Sequence, residues 1–209
     1  MSYSTIYIDE NNLTREISVS EDESREALKN DFEELMKIYD KKMVDISRQP
    51  TKPGEALRLR VTVFAPSHYL ADEKDVMPKP CGSMSVDVVC YPGYPIVGVK
   101  AIYNREKRLA SPNVFRSGAA CIDSWIPFTS SIITTVDKLV HDIIHDPQVT
   151  RYDSPACPNL IEWHKEGVLC GIYPTVSPKS LYVSETPLPP RKNIQKMSTT
   201  LPPLPKRIH

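Results

Sequence analysis

Glycine is scarce in this chain. It contributes 7 of 209 residues against 20 prolines, where average usage is about 7% glycine and about 5% proline. A glycine-rich cradle for phosphates is therefore not expected. Net charge is also absent, because 26 Lys and Arg balance 26 Asp and Glu. The total charge points to neither nucleic acid nor a membrane surface, and neither is expected as a partner. No apolar run approaches the roughly 18 residues of a membrane span, and Met1 to Thr5 has neither the basic start nor the apolar stretch of a secretion signal. A cytoplasmic protein is expected. The five cysteines, Cys81, Cys90, Cys121, Cys157 and Cys170, form no Cys-x-x-Cys pair, and their odd number argues against a disulfide framework. One reactive thiol fits better.

What is present is an ordinary globular composition, 40% apolar and 25% charged, which excludes a collagen, a coiled-coil rod and a fully disordered chain. Charge is graded along the chain. Residues 1–40 carry eleven acidic and four basic side chains, whereas residues 174–209 carry one acidic and six basic. Residues 3–8 and 13–19 alternate around Asp9-Glu10-Asn11-Asn12 and predict a β-hairpin. Ser20 with Glu23 has the form of a capping box, and Leu28, Phe32, Leu35 and Tyr39 follow at helical spacing, so a helix is expected over about 21–47. Strands are expected at 57–63, 83–91 and 96–103, forming part of an antiparallel meander of about four. Residues 104–128 lose periodicity but keep apolar anchors, a pattern frequent at functional segments.

Thr129-Ser130-Ser131 predicts the cap of a largely buried helix bearing Ile132, Val136, Leu139, Val140 and Ile143, ended by Asp146-Pro147. A short helix over about 158–166 should follow. Residues 174–209, with eight prolines, lack the apolar side chains for a core and should be extended or disordered unless they dock. The expected organisation is a hairpin extension at 1–20, a domain at 21–173 and a proline-rich basic tail at 174–209. Within that tail, Pro187 to Lys192 and Pro202 to Arg207 fit a Pro-x-x-Pro core followed by a cation, a polyproline II ligand type, with a solvated basic tail as the simpler reading.

Cys121 is the principal candidate for chemistry. It lies in the irregular segment beside Gly118, Ala119 and Ala120, small residues that let another chain approach, and a thiolate is a strong nucleophile. Against this, cysteine is among the most buried residue types. The wider pattern runs Tyr94-Pro95, Ser111-Pro112-Asn113, Gly118-Ala119-Ala120-Cys121-Ile122-Asp123, Trp125-Ile126-Pro127 and Asp146-Pro147-Gln148. It resembles the ubiquitin-conjugating enzyme family in its order of motifs, in the eight-residue step from Asn113 to Cys121 and in the order of helix, strands, irregular stretch and helices, over residues 21–167.

The resemblance implies an α+β fold of the ubiquitin-conjugating (UBC-like) type. It implies that Cys121 carries a ubiquitin-like protein as a thioester and passes it to an amine. The implied partners are that modifier, a cognate activating enzyme and a protein substrate, with no cofactor of the chain's own. Asn113 would support the active-site loop and stabilise the oxyanion, Asp153 would position or desolvate the incoming lysine, and Asp123 would be structural. Ser111 replaces the family histidine, Ile96-Val97-Gly98 replaces a Pro-Pro pair, and the loop from Cys121 to Trp125 is several residues short.

The acidic first helix is a further departure, since family members of eukaryotes present a basic one. Divergence this broad is similar to that of relatives encoded in bacterial operons, several of which serve antiphage defence, and there a deconjugating protease is an expected partner. A catalytically inactive scaffold that binds a ubiquitin-like protein is the alternative. Cys157, His164 and Cys170 have loose metal-ligand spacing without a fourth ligand. His141 and His145 are expected at a helix flank and as a partner of the helix dipole; a cysteine protease would need one of them beside Cys121.

Overall fold

A computed structural model of the chain describes residues 1–8, 14–72, 75, 77–121 and 125–183. The architecture is mixed α+β with antiparallel sheets. Strands β1 (Ser2–Ile8) and β2 (Thr14–Ser20) form the expected hairpin, in register from Ser2 opposite Ser20 to Ile8 opposite Thr14. Helix α1 (Glu21–Ile38) starts at Ser20, whose hydroxyl accepts from the Glu23 N–H while the Glu23 carboxylate accepts from the Ser20 N–H. Its buried face carries Leu28, Leu35 and Ile38.

The helix is shorter than expected. Tyr39 is extended and bridges Tyr182, the Asp40 N–H donates to the Leu181 carbonyl, and the Val183 N–H donates to Ile38. A strap from the far end of the chain thus claims the groups a continuing helix would use. Residues 44–48 form strand β3 (Val44–Arg48), with Val44 and Ile46 inward. It pairs with β4 (Leu57–Val63), which alternates Leu57, Leu59, Val61 and Val63 inward.

Strands β5 (Ser67–Leu70) and β6 (Lys79–Cys81) have no counterpart in the sequence reading. The main sheet continues with β7 (Met84–Cys90), as expected, and β8 (Val99–Tyr103), which starts later than expected because residues 92–97 turn. Four antiparallel strands result, in the order β3-β4-β7-β8, while β5 joins β6 and the short β9 (Arg108–Leu109) in a second sheet.

Helix α2 (Ile132–Ile143) is capped by Ser131 as the sequence predicts, and it buries Ile132, Val136, Leu139, Val140 and Ile143 in the core shared with α1 and the main sheet. A 3-10 turn at Pro158–Leu160 leads into α3 (Ile161–Leu169). Past Pro174 the chain docks: the Thr175 N–H donates to Ile144 at 2.9 Å, and Leu181 is fully buried. Both Pro-x-x-Pro motifs lie outside the described residues. No helix among the described residues is long and apolar enough to cross a membrane.

Candidate functional site

Residues 111–121 double back on themselves against the edge of β8. The Gly118 carbonyl accepts from the Tyr103 N–H at 2.8 Å, and the Ala120 N–H donates to Ala101 at 2.9 Å. Gly118 is required at this approach: it has φ +88°, and a Cβ would stand 2.7 Å from the Tyr103 carbonyl oxygen. The return leg pairs Ala120 with Val114, and the Cys121 N–H donates to the Asn113 carbonyl at 2.7 Å. The eight-residue step between Asn113 and Cys121 is therefore the register of a narrow hairpin, and it sets a half-buried Cys121 opposite Asn113.

Asn113 is buried, with 7% of its surface exposed, and all of its side-chain polar groups are engaged. Its amide donates to Asp142 Oδ1 at 2.9 Å and to the Val149 carbonyl at 3.1 Å, while its Oδ1 accepts from the Arg151 N–H at 2.9 Å. The support of the loop is visible in these bonds. Donation to an oxyanion would require exchange of one of them. Ser111, fully buried, donates to the same Asp142 oxygen at 2.6 Å and accepts from the Asn113 N–H at 3.0 Å. Burial pushes the Asp142 carboxyl up to about 7, against the pull of the hydrogen bonds from Ser111 and Asn113.

Asp153 is exposed, two residues beyond Arg151, on the segment that Asn113 ties down. Asp123 lies outside the described residues. Trp125 closes the near side: its indole N–H donates to the Pro95 carbonyl at 2.8 Å, and Gly98 leaves room for the ring, which an added Cβ would approach to 3.1 Å. The Tyr94 hydroxyl donates to Asp31 and accepts from the Ile132 N–H at 3.0 Å, so the Tyr-Pro turn ties α1 to the start of α2. Exposed Phe115, Ile126 and Phe128 belong to the same loops.

His141 is not a flank residue, because it is fully buried, and burial holds the His145 imidazole well below its usual range, so it carries no charge to set against the helix dipole. Each ring nitrogen of His141 is taken, Nδ1 by Asp146 at 2.6 Å and Nε2 by the Tyr182 hydroxyl at 2.7 Å, so His141 is no base for Cys121. His145 packs between Tyr173, His68, Trp163 and His164, at ring-centroid distances of 4.5 to 5.6 Å. His164 bonds Tyr152 and Thr150, Cys157 is buried and Cys170 exposed. No group of three or more His, Cys, Asp or Glu among the described residues is able to hold a metal.

Sequence reasoning missed Asp142. The signal was an acid on an apolar helix face between Val140 and Ile143. No protein-family model matches the chain, and no curated protein matches it.

Proposed function

We propose that the chain is a ubiquitin-conjugating-enzyme-like acyl transferase with a UBC-like fold, and that Cys121 carries a ubiquitin-like modifier as a thioester. The observation that supports it is the hairpin of residues 111–121. It presents a partly exposed thiol opposite Asn113, beyond an antiparallel sheet, with α1 before it and α2 and α3 after it.

In the first step the Cys121 thiolate attacks the thioester carbonyl of the charged activating enzyme. The new carbon–sulfur bond forms as the old one breaks, and the activating enzyme leaves as its thiolate. In the second step a lysine amine attacks the same carbonyl, Cys121 departs as the thiolate, and the amine loses a proton to water or to a base. Asp153, exposed near the Asn113-bound segment, is the candidate to steer that amine. ATP is consumed by the activating enzyme, so the chain needs no cofactor of its own. The working partners are the modifier, its activating enzyme, a lysine-bearing substrate and, in an operon serving antiphage defence, a deconjugating protease.

Glu33 and Glu34 are exposed on α1, and the activating enzyme is expected to meet them with a basic patch. Neutralising both should weaken that docking severalfold in a titration.

A second reading has its own support. The Asn113 amide is fully spent on Asp142 and Val149, which suits a scaffold that binds a modifier without turnover. One experiment separates the two: incubation with the cognate activating enzyme, modifier and ATP, followed by a non-reducing gel. The conjugation reading expects a thiol-sensitive adduct, lost in Cys121→Ala and thiol-resistant in Cys121→Ser. No adduct with a competent cognate pair leaves the scaffold.

A further inference from the structure

Two loops meet below Cys121, and neither is held by the main sheet alone. The first is the hairpin of residues 111–121, the second the segment 149–153 after α2. Both are tied to one carboxylate. Asp142 Oδ1 accepts from Ser111 Oγ at 2.6 Å and from Asn113 Nδ2 at 2.9 Å. Asn113 in turn holds the Cys121 N–H through its carbonyl, the Arg151 N–H through its Oδ1, and the Val149 carbonyl through its second amide hydrogen. Asp142 sits on a rigid, capped helix in the core, 4% exposed.

We infer that Asp142 is a positioning residue, which fixes the Cys121 hairpin and the Asp153 segment in one geometry by holding Ser111 and Asn113 together. The inference rests on the conjugation reading for its catalytic meaning, while the mechanical claim stands on the bonds themselves. Ser111 and Asp142 act as a pair here: the Ser111 hydroxyl accepts from the Asn113 N–H within the hairpin and donates to Asp142, which ties that turn to α2. A hydrogen bond to a charged acceptor is roughly twice as strong as one to a neutral acceptor, so ionised Asp142 grips both loops more tightly than the neutral acid.

The charged and titratable groups around the carboxylate are few. Tyr103 of β8 feels its charge, and burial together with that charge lifts the Tyr103 hydroxyl well above its usual range. On the facing segment Arg151 bonds Asn113 Oδ1 through its backbone N–H. On α2 itself, neighbouring His141 is engaged by Asp146 and Tyr182.

The test uses the full chain with Asp142→Asn, Asp142→Ala and Ser111→Ala. Iodoacetamide labelling of Cys121 is followed by peptide-resolved mass spectrometry between about pH 5.5 and 8.5, with exposed Cys170 as the internal reference. Wild type should show an inflection near 7 at Cys121 in addition to ionisation of the thiol. Asp142→Asn, which keeps the acceptor oxygen but cannot ionise, should lack it. Cys170 should show no such inflection in either protein.

In parallel, amide exchange is read at Cys121 and Arg151. It should accelerate about tenfold or more in Asp142→Ala and in Ser111→Ala, since one lost bond of about 1.4 kcal/mol or more opens the site by that factor. Exchange at Ala56, whose N–H donates to Cys90 on the far side of the sheet, should hold, and Asp142→Asn should restore most of the protection. Superimposable Cys121 profiles in wild type and Asp142→Asn, or equal acceleration at Ala56, would overturn the inference. A wild type that shows both signatures yet forms no thioester would instead overturn the conjugation reading and leave the positioning role standing.

Discussion

The two ends of the α2 neighbourhood bury polar groups in opposite ways. Around Asn113, each side-chain polar group of the asparagine is bonded and one carboxylate serves two donors. Around His145, both ring nitrogens are buried without a hydrogen-bond partner among the described residues, in a wall of Tyr173, Trp163, His68 and His164. The first region behaves as a joint between loops. The second is packing, held by shape and by rings meeting edge to face. The lesson is that polarity in the interior does not by itself mark a site; the marker is polarity connected to segments that reach the surface, as Asn113 connects to Cys121 and Arg151.

The comparison breaks most sharply with one substitution in each region. Asn113→Ala deletes three side-chain bonds and strands the Arg151 N–H and the Val149 carbonyl, so the urea midpoint should fall by the equivalent of about 3 kcal/mol. Gly167→Ala should cost a similar amount for the opposite reason, overpacking, because its Cβ would meet the Tyr173 ring at 2.1 Å. Replacing His145, which has no side-chain hydrogen bond to lose among the described residues, should cost far less than adding one methyl group there, and equal losses for His145→Phe and Asn113→Ala would erase the distinction.

Titration sharpens it further. Burial lowers His164 to about 4 and His145 well below its usual value, with the charges of His164 and His68 adding to the latter. Between the unfolded value near 6.5 and 4 the unfolded chain binds the extra proton, so this stability is complete above about 6.5 and is lost as pH falls towards 4. The loss at His164 should amount to about 3 kcal/mol, and His164→Phe should flatten that limb of a stability curve.

Asp142 runs the other way. Its folded value near 7 exceeds the ordinary carboxyl value of 3.8, so the folded state holds the extra proton between these limits and stability declines as pH rises through that window. Asp142→Asn removes the titration and should reduce the decline by about 1 kcal/mol or more, visible as a smaller drop in melting temperature from pH 5 to pH 8. The smallest expected effect is His145→Phe at pH 7, within about 1 kcal/mol of wild type, since the exchange removes two nitrogens that have no partner among the described residues.

Much of the fold was legible in local chemistry. The Ser20 and Ser131 caps, the alternation of Leu57 to Val63 and the apolar stripe of α2 are short-range patterns, and each became the element it predicted. The end of α1 was not legible, since Tyr39 is drawn into an extended bridge by Tyr182, far along the chain. Strands β6 and β9 are too short to carry a period. At the candidate site, Cys121, Asn113 and their spacing could be read in advance, whereas the bonds that engage Asn113 come from Asp142, Val149 and Arg151, whose meeting depends on how α2 lies against the loop.

By itself, then, the sequence determined where α1 and α2 begin, which faces β4 and α2 bury and which thiol stands out, because these follow from caps and periods spanning a few residues. Tertiary structure alone decided that Ser111 and Asn113 share one carboxylate, that His141 is spent on Asp146 and Tyr182, and that the chain past Pro174 binds back onto α1 and α2. Apart from the short step from His141 to Asp146, those outcomes depend on contacts between residues tens of positions apart, and a hydrogen bond over a few ångströms leaves no periodic trace in the order of amino acids.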